Sequence, residues 1–284
     1  MKKITRSLAL TGLAGLILLG ACTKSDYSDD FTPGTPPPIG NYSNSDEVAS
    51  GSLAAKWSFD GNLTESKQNL AGTSNGTSFT SGLKGQALLG TDNGYVVYPN
   101  SGTLGTLKSF TLSFWIKPSQ QFAGGATQLF QIENTGDFWS NLTVYFEPPD
   151  AGNTRFRVQM HKEGVTWNNA FIEARLPDAG SLMSKWTHIV ATYDGATSTY
   201  RAYQNSVKAF ETQPQAGPTG PGLGDLNFIT PGRLIFGTWK QKIGAPGDSW
   251  MQNYKGGLDE FRIYNKALTD LEISALYQLE KRGT

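Results

Sequence analysis

Four tryptophans in polar, turn-like company are the residues whose types and spacing invite chemistry: Trp139 in DFWSN, Trp167 in GVTWNN, Trp239 in GTWKQ and Trp250 in GDSWMQ. An indole face stacks on the C–H face of a sugar ring, while sugar hydroxyls take planar polar partners such as Asn, Gln, Arg and Asp. Asn168 and Asn169 follow Trp167 directly. In TRFRVQMH, Arg155, Arg157 and Gln159 fall on the polar side of one strand, and Glu173 and Arg175 on the polar side of another. These residues floor either a ligand cleft or a solvated outer face. If they floor a cleft, the arginines favour an acidic or heavily hydroxylated glycan.

Catalytic constellations are weaker. Retaining sugar hydrolysis needs two carboxylates about 5 Å apart. Glu133 and Asp137 in QIENTGD come nearest, but a glycine-containing turn separates them, and they read as surface carboxylates. A polysaccharide lyase wants a Tyr/His pair with arginine and glutamine, for which Tyr145, His161, Arg157 and Gln159 are the available set, without the flanking signatures of such enzymes. The two histidines, His161 and His188, are too few for a histidine-rich metal site, and His188 in KWTHIV reads as structural. No catalytic residue is assigned.

Strands must position these groups. In SFTLSFWIKP, Phe110, Leu112, Phe114 and Ile116 share a face; Leu142, Val144 and Phe146 do so in NLTVYFE, and Phe156, Val158 and Met160 in TRFRVQMH. KWTHIVATYD and RLIFGTW are further strands, and turn sequences such as Asp92-Asn93-Gly94 and Asp194-Gly195 punctuate the pattern. Many short strands with polar outer faces predict an all-β fold, two antiparallel sheets packed face to face. One short C-terminal helix is expected from Asp270, opened by a Thr269–Glu272 capping box, with Leu271, Ala275, Leu276 and Leu279 as its apolar stripe. Twelve per cent aromatic residues and 33 glycines among 284 suit a turn-rich β domain, which is placed at residues 51–284. Trp57, Trp115 and Trp186 lie in strand blocks and are assigned to packing.

GGLDEFRIY sets an acid among apolar neighbours. Its alternation puts Asp259 on the face of Phe261 and Ile263, where an ionised carboxylate is costly unless paired. Two partners are open: a calcium ion, with the Asp60 turn in WSFDGNLTES as second contributor, or backbone amides of a turn.

The amino terminus gives an address. Lys2, Lys3 and Arg6 precede an apolar run, Leu8 to Gly20, too short to span a membrane comfortably. The run ends in LGAC, a lipobox, so residues 1–21 read as a lipoprotein signal peptide and Cys22, the single cysteine, as the lipidation site. Loss of the signal removes three positive charges, leaving 21 basic against 24 acidic residues, a net of −3. No basic stripe or phosphate loop suggests nucleic acid. Residues 22–50, acidic at first and then proline-rich, read as a flexible tether. The acidic start resembles the export signal of bacterial surface lipoproteins, which implies outer-membrane anchoring and exposure at the cell surface.

Four blocks in order, LAAKWSFDGNLTES, SFTLSFWIKP, KWTHIVATYDGATSTYRAYQNS and GGLDEFRIYNKALTDLEISALY, resemble the laminin-G-like, concanavalin A-like jelly-roll modules. The resemblance implies two curved sheets and a structural calcium near paired termini, held by the Asp259 side chain and largely by backbone from Asp60 to Asn62. The chain departs from the family at Glu65, where a second aspartate is common, and at Ser206, where the pattern after Asn205 has glycine. The Glu-x-Asp-x-Glu arrangement of jelly-roll glucanases is absent. Fold alone does not give function. The expectation is a non-catalytic surface lipoprotein that binds polysaccharide or oligosaccharide, capturing it for outer-membrane glycan transporter components. A protein-binding adhesion module and a polysaccharide lyase or hydrolase are the alternatives.

Overall fold

The structure, a computed structural model, describes residues 37–165, 171–177, 182–183, 185–216 and 220–283. Cys22, most of the expected tether and Trp167 lie outside the described residues. Two antiparallel sheets of eight strands each form a sandwich. The first runs β13 (Val207–Thr212), β12 (Thr199–Gln204), β11 (Thr187–Asp194), β6 (Phe110–Pro118), β16 (Gly256–Tyr264), β4 (Gln86–Gly90), β3 (Ser78–Ser81), with β1 (Leu53–Trp57) also on β16. The second runs β10 (Phe171–Pro177), β9 (Asn153–Met160), β8 (Leu142–Asp150), β7 (Ala126–Asn134), β14 (Pro231–Phe236), β5 (Tyr95–Tyr98), β2 (Thr73–Asn75). A short β15 (Met251–Asn253) joins β7 in parallel.

The period-2 pattern fills the space between the sheets. Phe110, Leu112, Phe114 and Ile116 of β6 meet Phe130 and Ile132 of β7, Val144 and Phe146 of β8 and Phe156 and Val158 of β9 in one buried core, with Trp57 at 0% exposure among them. Terminal strands pair as expected, Trp57 opposite Phe261 and Lys56 opposite Arg262.

The outer face of the first sheet is roofed by α1 (Asp270–Arg282), which begins with the Thr269–Glu272 capping box. Ile273, Ala275, Leu276 and Leu279 pack over Val190, Tyr203 and Tyr264. Leu271, expected in the apolar stripe, is 83% exposed. Under the helix, buried Arg262 reaches Glu280 at 2.7 Å, Glu260 at 2.7 Å and Asp46 at 2.6 Å. Asp46 and Ser45 belong to one helical turn (Ser45–Glu47), and Val48 joins the packing under α1. The 39–49 segment, placed by the sequence in the tether, packs in the compact unit that begins at Pro37, held by the Arg262 guanidinium and an apolar shelf. No helix among the described residues is long and apolar enough to cross a membrane.

Candidate functional site

The outer face of the second sheet gathers the chemistry. The loop 237–250, between β14 and β15, folds across it because its polar groups find fixed partners there. Gln131 donates to the Thr238 carbonyl at 3.1 Å, Gln241 donates to the Phe138 carbonyl at 2.5 Å, and Lys240 Nζ donates to the carbonyls of Asn134 and Asp137. Gln131, Thr143 and Gln159, outward by alternation, and Gln128, turned outward by a register shift before Phe130, are 2% exposed or less. Around Gln131 and Gln159 this face is covered, while Arg155 and Arg175 farther along it keep 27% and 51% of their side-chain exposure.

Trp139, from the loop between β7 and β8, comes within 6.3 Å of Trp239 and 6.4 Å of Trp250 by ring centroid, and Trp239 and Trp250 are 5.1 Å apart. Tyr145 and Phe171 complete this cluster, separate from the main core. Three of the four expected tryptophans thus converge, in unequal roles. Trp239 is 2% exposed and donates its Nε1–H to the Ala126 carbonyl at 2.9 Å, so it is a packing residue, not a surface platform. Trp139 and Trp250 are half-buried, and Phe138 beside Trp139 is 45% exposed.

Arg155 and Arg157 lie on this face and are held by carboxylates, although the buried Arg157 Nε has no hydrogen-bond partner. Arg155 contacts Glu147 at 2.5 Å and Glu173 at 2.9 Å; Arg157 contacts Glu147 at 3.0 Å and also Glu173. Arg175 spans Glu173 and Asp150. The Arg157 guanidinium lies 4.7 Å from the Phe171 ring centre. Burial alone would raise the Glu173 carboxyl, but the three arginines more than offset it and hold it below the usual range. Glu147 and Phe171 were not singled out in the sequence. Register places them: Tyr145 opposes Arg157 and Glu147 opposes Arg155 across β8 and β9, and Phe171 opposes Gln159.

Between the aromatic cluster and the end of β9 lies a cleft of about 190 Å³ lined by Asp137, Trp139, Gln159, His161 and Lys162. Gln159 Oε1 and His161 Nε2 have no hydrogen-bond partner, although both atoms are buried. Unmade bonds of this kind cost about 1–3 kcal/mol each, which marks the position as one a polar ligand or water completes. Its volume is below the ~300–1,000 Å³ of pockets that enclose a whole ligand and suits one residue of a longer chain.

The catalytic sets do not assemble. Glu133 is tied bidentately to Arg233 at 2.7 and 2.8 Å, and that guanidinium holds it below its usual range in spite of burial. Asp137 caps its own loop, accepting the Trp139 amide at 2.9 Å. Tyr145 opposes Arg157, four residues from His161, which puts roughly 13 Å of strand between phenol and imidazole positions. Burial, reinforced by Glu147, also pushes the Tyr145 phenol well above 10. His188 is a structural histidine: it is fully buried, bonds Ser113 Oγ at 2.7 Å, and burial lowers it to about 3.

Asp259 is not on the face of Phe261. From Asp259 to Arg262, β16 advances three residues while β6 advances two, Trp115 to Ser113, so one extra residue is inserted. Glu260 absorbs it at φ 44°. Asp259 turns instead to the β3–β4 hairpin: Oδ2 accepts the amides of Leu83 at 2.8 Å and Lys84 at 3.2 Å, and Oδ1 accepts that of Glu260 at 2.8 Å. Asp60 Oδ1 accepts the Gln86 amide at 2.7 Å beside the same turn, and Glu65 accepts the amides of Lys56, Lys67 and Gln68. Among the described residues no group of three or more His, Cys, Asp or Glu side chains could hold a metal. Amide N–H dipoles face both oxygens of Asp259, where a cation would be repelled. This arrangement does not fit a calcium ion and matches the turn-amide alternative.

The sequence profile of the concanavalin A-like lectin/glucanases superfamily matches residues 89–274. No curated protein matches the chain. Among solved structures, domain 4 of AbnA, a GH43 extracellular arabinanase from Geobacillus stearothermophilus in complex with arabinotriose, is 21% identical with a TM-score of 0.55, covering 80% of this chain and 98% of that one. The binding domain of botulinum neurotoxin DC in complex with SialylT is 15% identical with a TM-score of 0.55, covering 81% of this chain and 51% of that one. The binding domain of Paraclostridial Mosquitocidal Protein 1 is 18% identical with a TM-score of 0.53, covering 80% and 51%. At these identities the likeness speaks for the fold, two sheets closed by paired terminal strands, and with the profile match it places the family: the chain belongs to the concanavalin A-like lectin/glucanases superfamily.

Proposed function

We propose that this domain binds carbohydrate without transforming it, on the outer face of the second sheet. The observation that carries this reading is the cleft beside Trp139, where a half-buried indole adjoins Gln159 Oε1 and His161 Nε2, both lacking partners. The indole walls the cleft, and the two polar atoms are placed to exchange hydrogen bonds with a sugar's hydroxyls. Two solved structures of similar fold are in complex with arabinotriose and with SialylT, which supports a sugar as the ligand class. The lipobox at Leu19–Cys22 supports a lipid-anchored head at the outer surface, holding polysaccharide for neighbouring glycan transporter components.

The test is affinity electrophoresis and calorimetry of residues 37–284 against a polysaccharide panel, with reducing ends and unsaturated products followed in parallel. Retention without product is the expected result. Trp139→Ala should weaken retention on the order of tenfold or more while leaving the melting temperature within a few degrees, as a central aromatic contact does. Product formation would replace this reading with an enzyme, and retention by nothing on the panel would remove it.

A further inference from the structure

The outer face of the first sheet carries a cavity of its own, beyond the helix. Trp115 of β6 stacks on Tyr277 of α1, and two residues farther along the same strand face Lys117 is exposed. Lys117 stands opposite Gly257 of β16, and Gly257 opposite Leu89 of β4. Gly257 makes room for an indole, since a Cβ there would come within 2.6 Å of the Trp186 ring. Trp186 thus lies against the sheet and walls a cavity of about 240 Å³, with Lys117, Leu89, Thr80, Ser81 and Ser119 around it. The sequence assigned Trp186 to packing along with Trp57 and Trp115. Those two are 0% and 2% exposed, but Trp186 is only half-buried.

Among the described residues no ring contact or hydrogen bond engages the Trp186 indole, and no carboxylate pairs with the Lys117 ammonium. The hydroxyls of Thr80, Ser81 and Ser119 are likewise without hydrogen bonds. We propose that this cavity is a second ligand site, which takes a sugar residue bearing a carboxylate or sulfate. It stands independently of the cleft beside Trp139. The indole supplies apolar surface for the C–H face of the ring. The ammonium supplies the counter-charge that an anionic substituent needs on leaving water, and the three hydroxyls can donate or accept. Asp259, two residues along β16 from Gly257, keeps its carboxylate on the amides of Leu83, Lys84 and Glu260, and Asp92 pairs with Lys255. The volume is below that of pockets enclosing a whole ligand, ~300–1,000 Å³, and suits one residue of a chain.

The experiment uses the chain from residue 23 onward, which keeps the whole compact unit, and matched polysaccharides: carboxymethyl with hydroxyethyl cellulose, and dextran sulfate with dextran. The carboxylate and sulfate arms show which anion the site prefers. Retention by at least one anionic member is expected at ~20 mM salt, falling severalfold by ~500 mM as the charges are screened. Trp186→Ala and Lys117→Gln should each weaken it about fivefold or more, Lys117→Arg should restore most of it, and Trp139→Ala should leave it unchanged. Lys67→Gln, which removes an exposed charge elsewhere, should also leave it unchanged. Lys117 is exposed, so Lys117→Gln decides the matter if Trp186→Ala fails to melt cooperatively. Retention by no anionic member overturns the inference, as does retention that Lys117→Gln leaves intact or that Lys67→Gln weakens equally. Loss of neutral-glycan retention in Trp139→Ala alone bears on the cleft and not on this site.

Discussion

Tryptophans of similar sequence context divide by what their backbones reach. Trp239 enters a strand-side pocket and spends its N–H on Ala126, while Trp139 stays at the rim of the cleft. The two should separate experimentally. Trp239→Ala removes a fully buried ring and orphans a carbonyl, and a loss of about 3–5 kcal/mol in denaturant stability is expected, against little for Trp139→Ala. Asp259 gives a second residue-scale expectation. Burial pushes its carboxyl up to about 7, with the amides of Lys84, Glu260 and Leu83 opposing and Glu260 adding repulsion. A raised folded pKa means that the native state binds the proton more tightly than the unfolded chain, whose carboxyl titrates near 3.8. Its contribution to stability is therefore complete below about pH 4 and fades as pH rises through 7. Asp259→Asn should flatten melting temperature against pH across that window. Calcium or EDTA at pH 7 should leave the melting temperature unchanged, and a rise with calcium would show a metal site after all.

At the scale of elements, turns and terminal segments carry the consequences. Asn205 and Ser206 join β12 to β13 with φ of 50° and 65°, the two positive angles that a tight hairpin turn requires. Asn205 also holds β11, its Oδ1 accepting the His188 amide at 3.0 Å. Serine at the second position bears a left-handed backbone penalty of roughly 1–2 kcal/mol that glycine avoids. Ser206→Gly should raise stability by about 1 kcal/mol, read by urea denaturation. The helix α1 and the 39–49 segment share the outer face of the first sheet through Arg262. A chain starting at residue 51 leaves that guanidinium short of Asp46 and Ser45 and uncovers Val48's place under the helix. It should melt several degrees below a chain starting at residue 37.

For the whole molecule, the proposed cleft at residues 137–165 and the proposed lipidation site at Cys22 can be tested independently. Cys22→Ser should abolish incorporation of labelled fatty acid and release the protein from the membrane fraction, with glycan binding by the head unchanged. Protease treatment of intact cells should cut the wild-type protein between residue 23 and residue 36 if the head is displayed outward.

Much of this was legible from residues alone because side-chain alternation and capping are local. The strand faces of β6, β8 and β9 and the Thr269–Glu272 cap follow from local pattern, and the meeting of β1 with β16 is what the family resemblance implied. What the tertiary structure alone decided was register, insertion and coverage. A single inserted residue in β16 turned Asp259 from the core to a hairpin turn, and alternation cannot show an insertion. The pairing of β8 with β9 brought Glu147 against two arginines, and no spacing along one strand reveals its opposite number. The loop 237–250 crosses a face that polarity left undecided between cleft and solvated surface, since burial is a property of what lies above a residue and not of the residue itself.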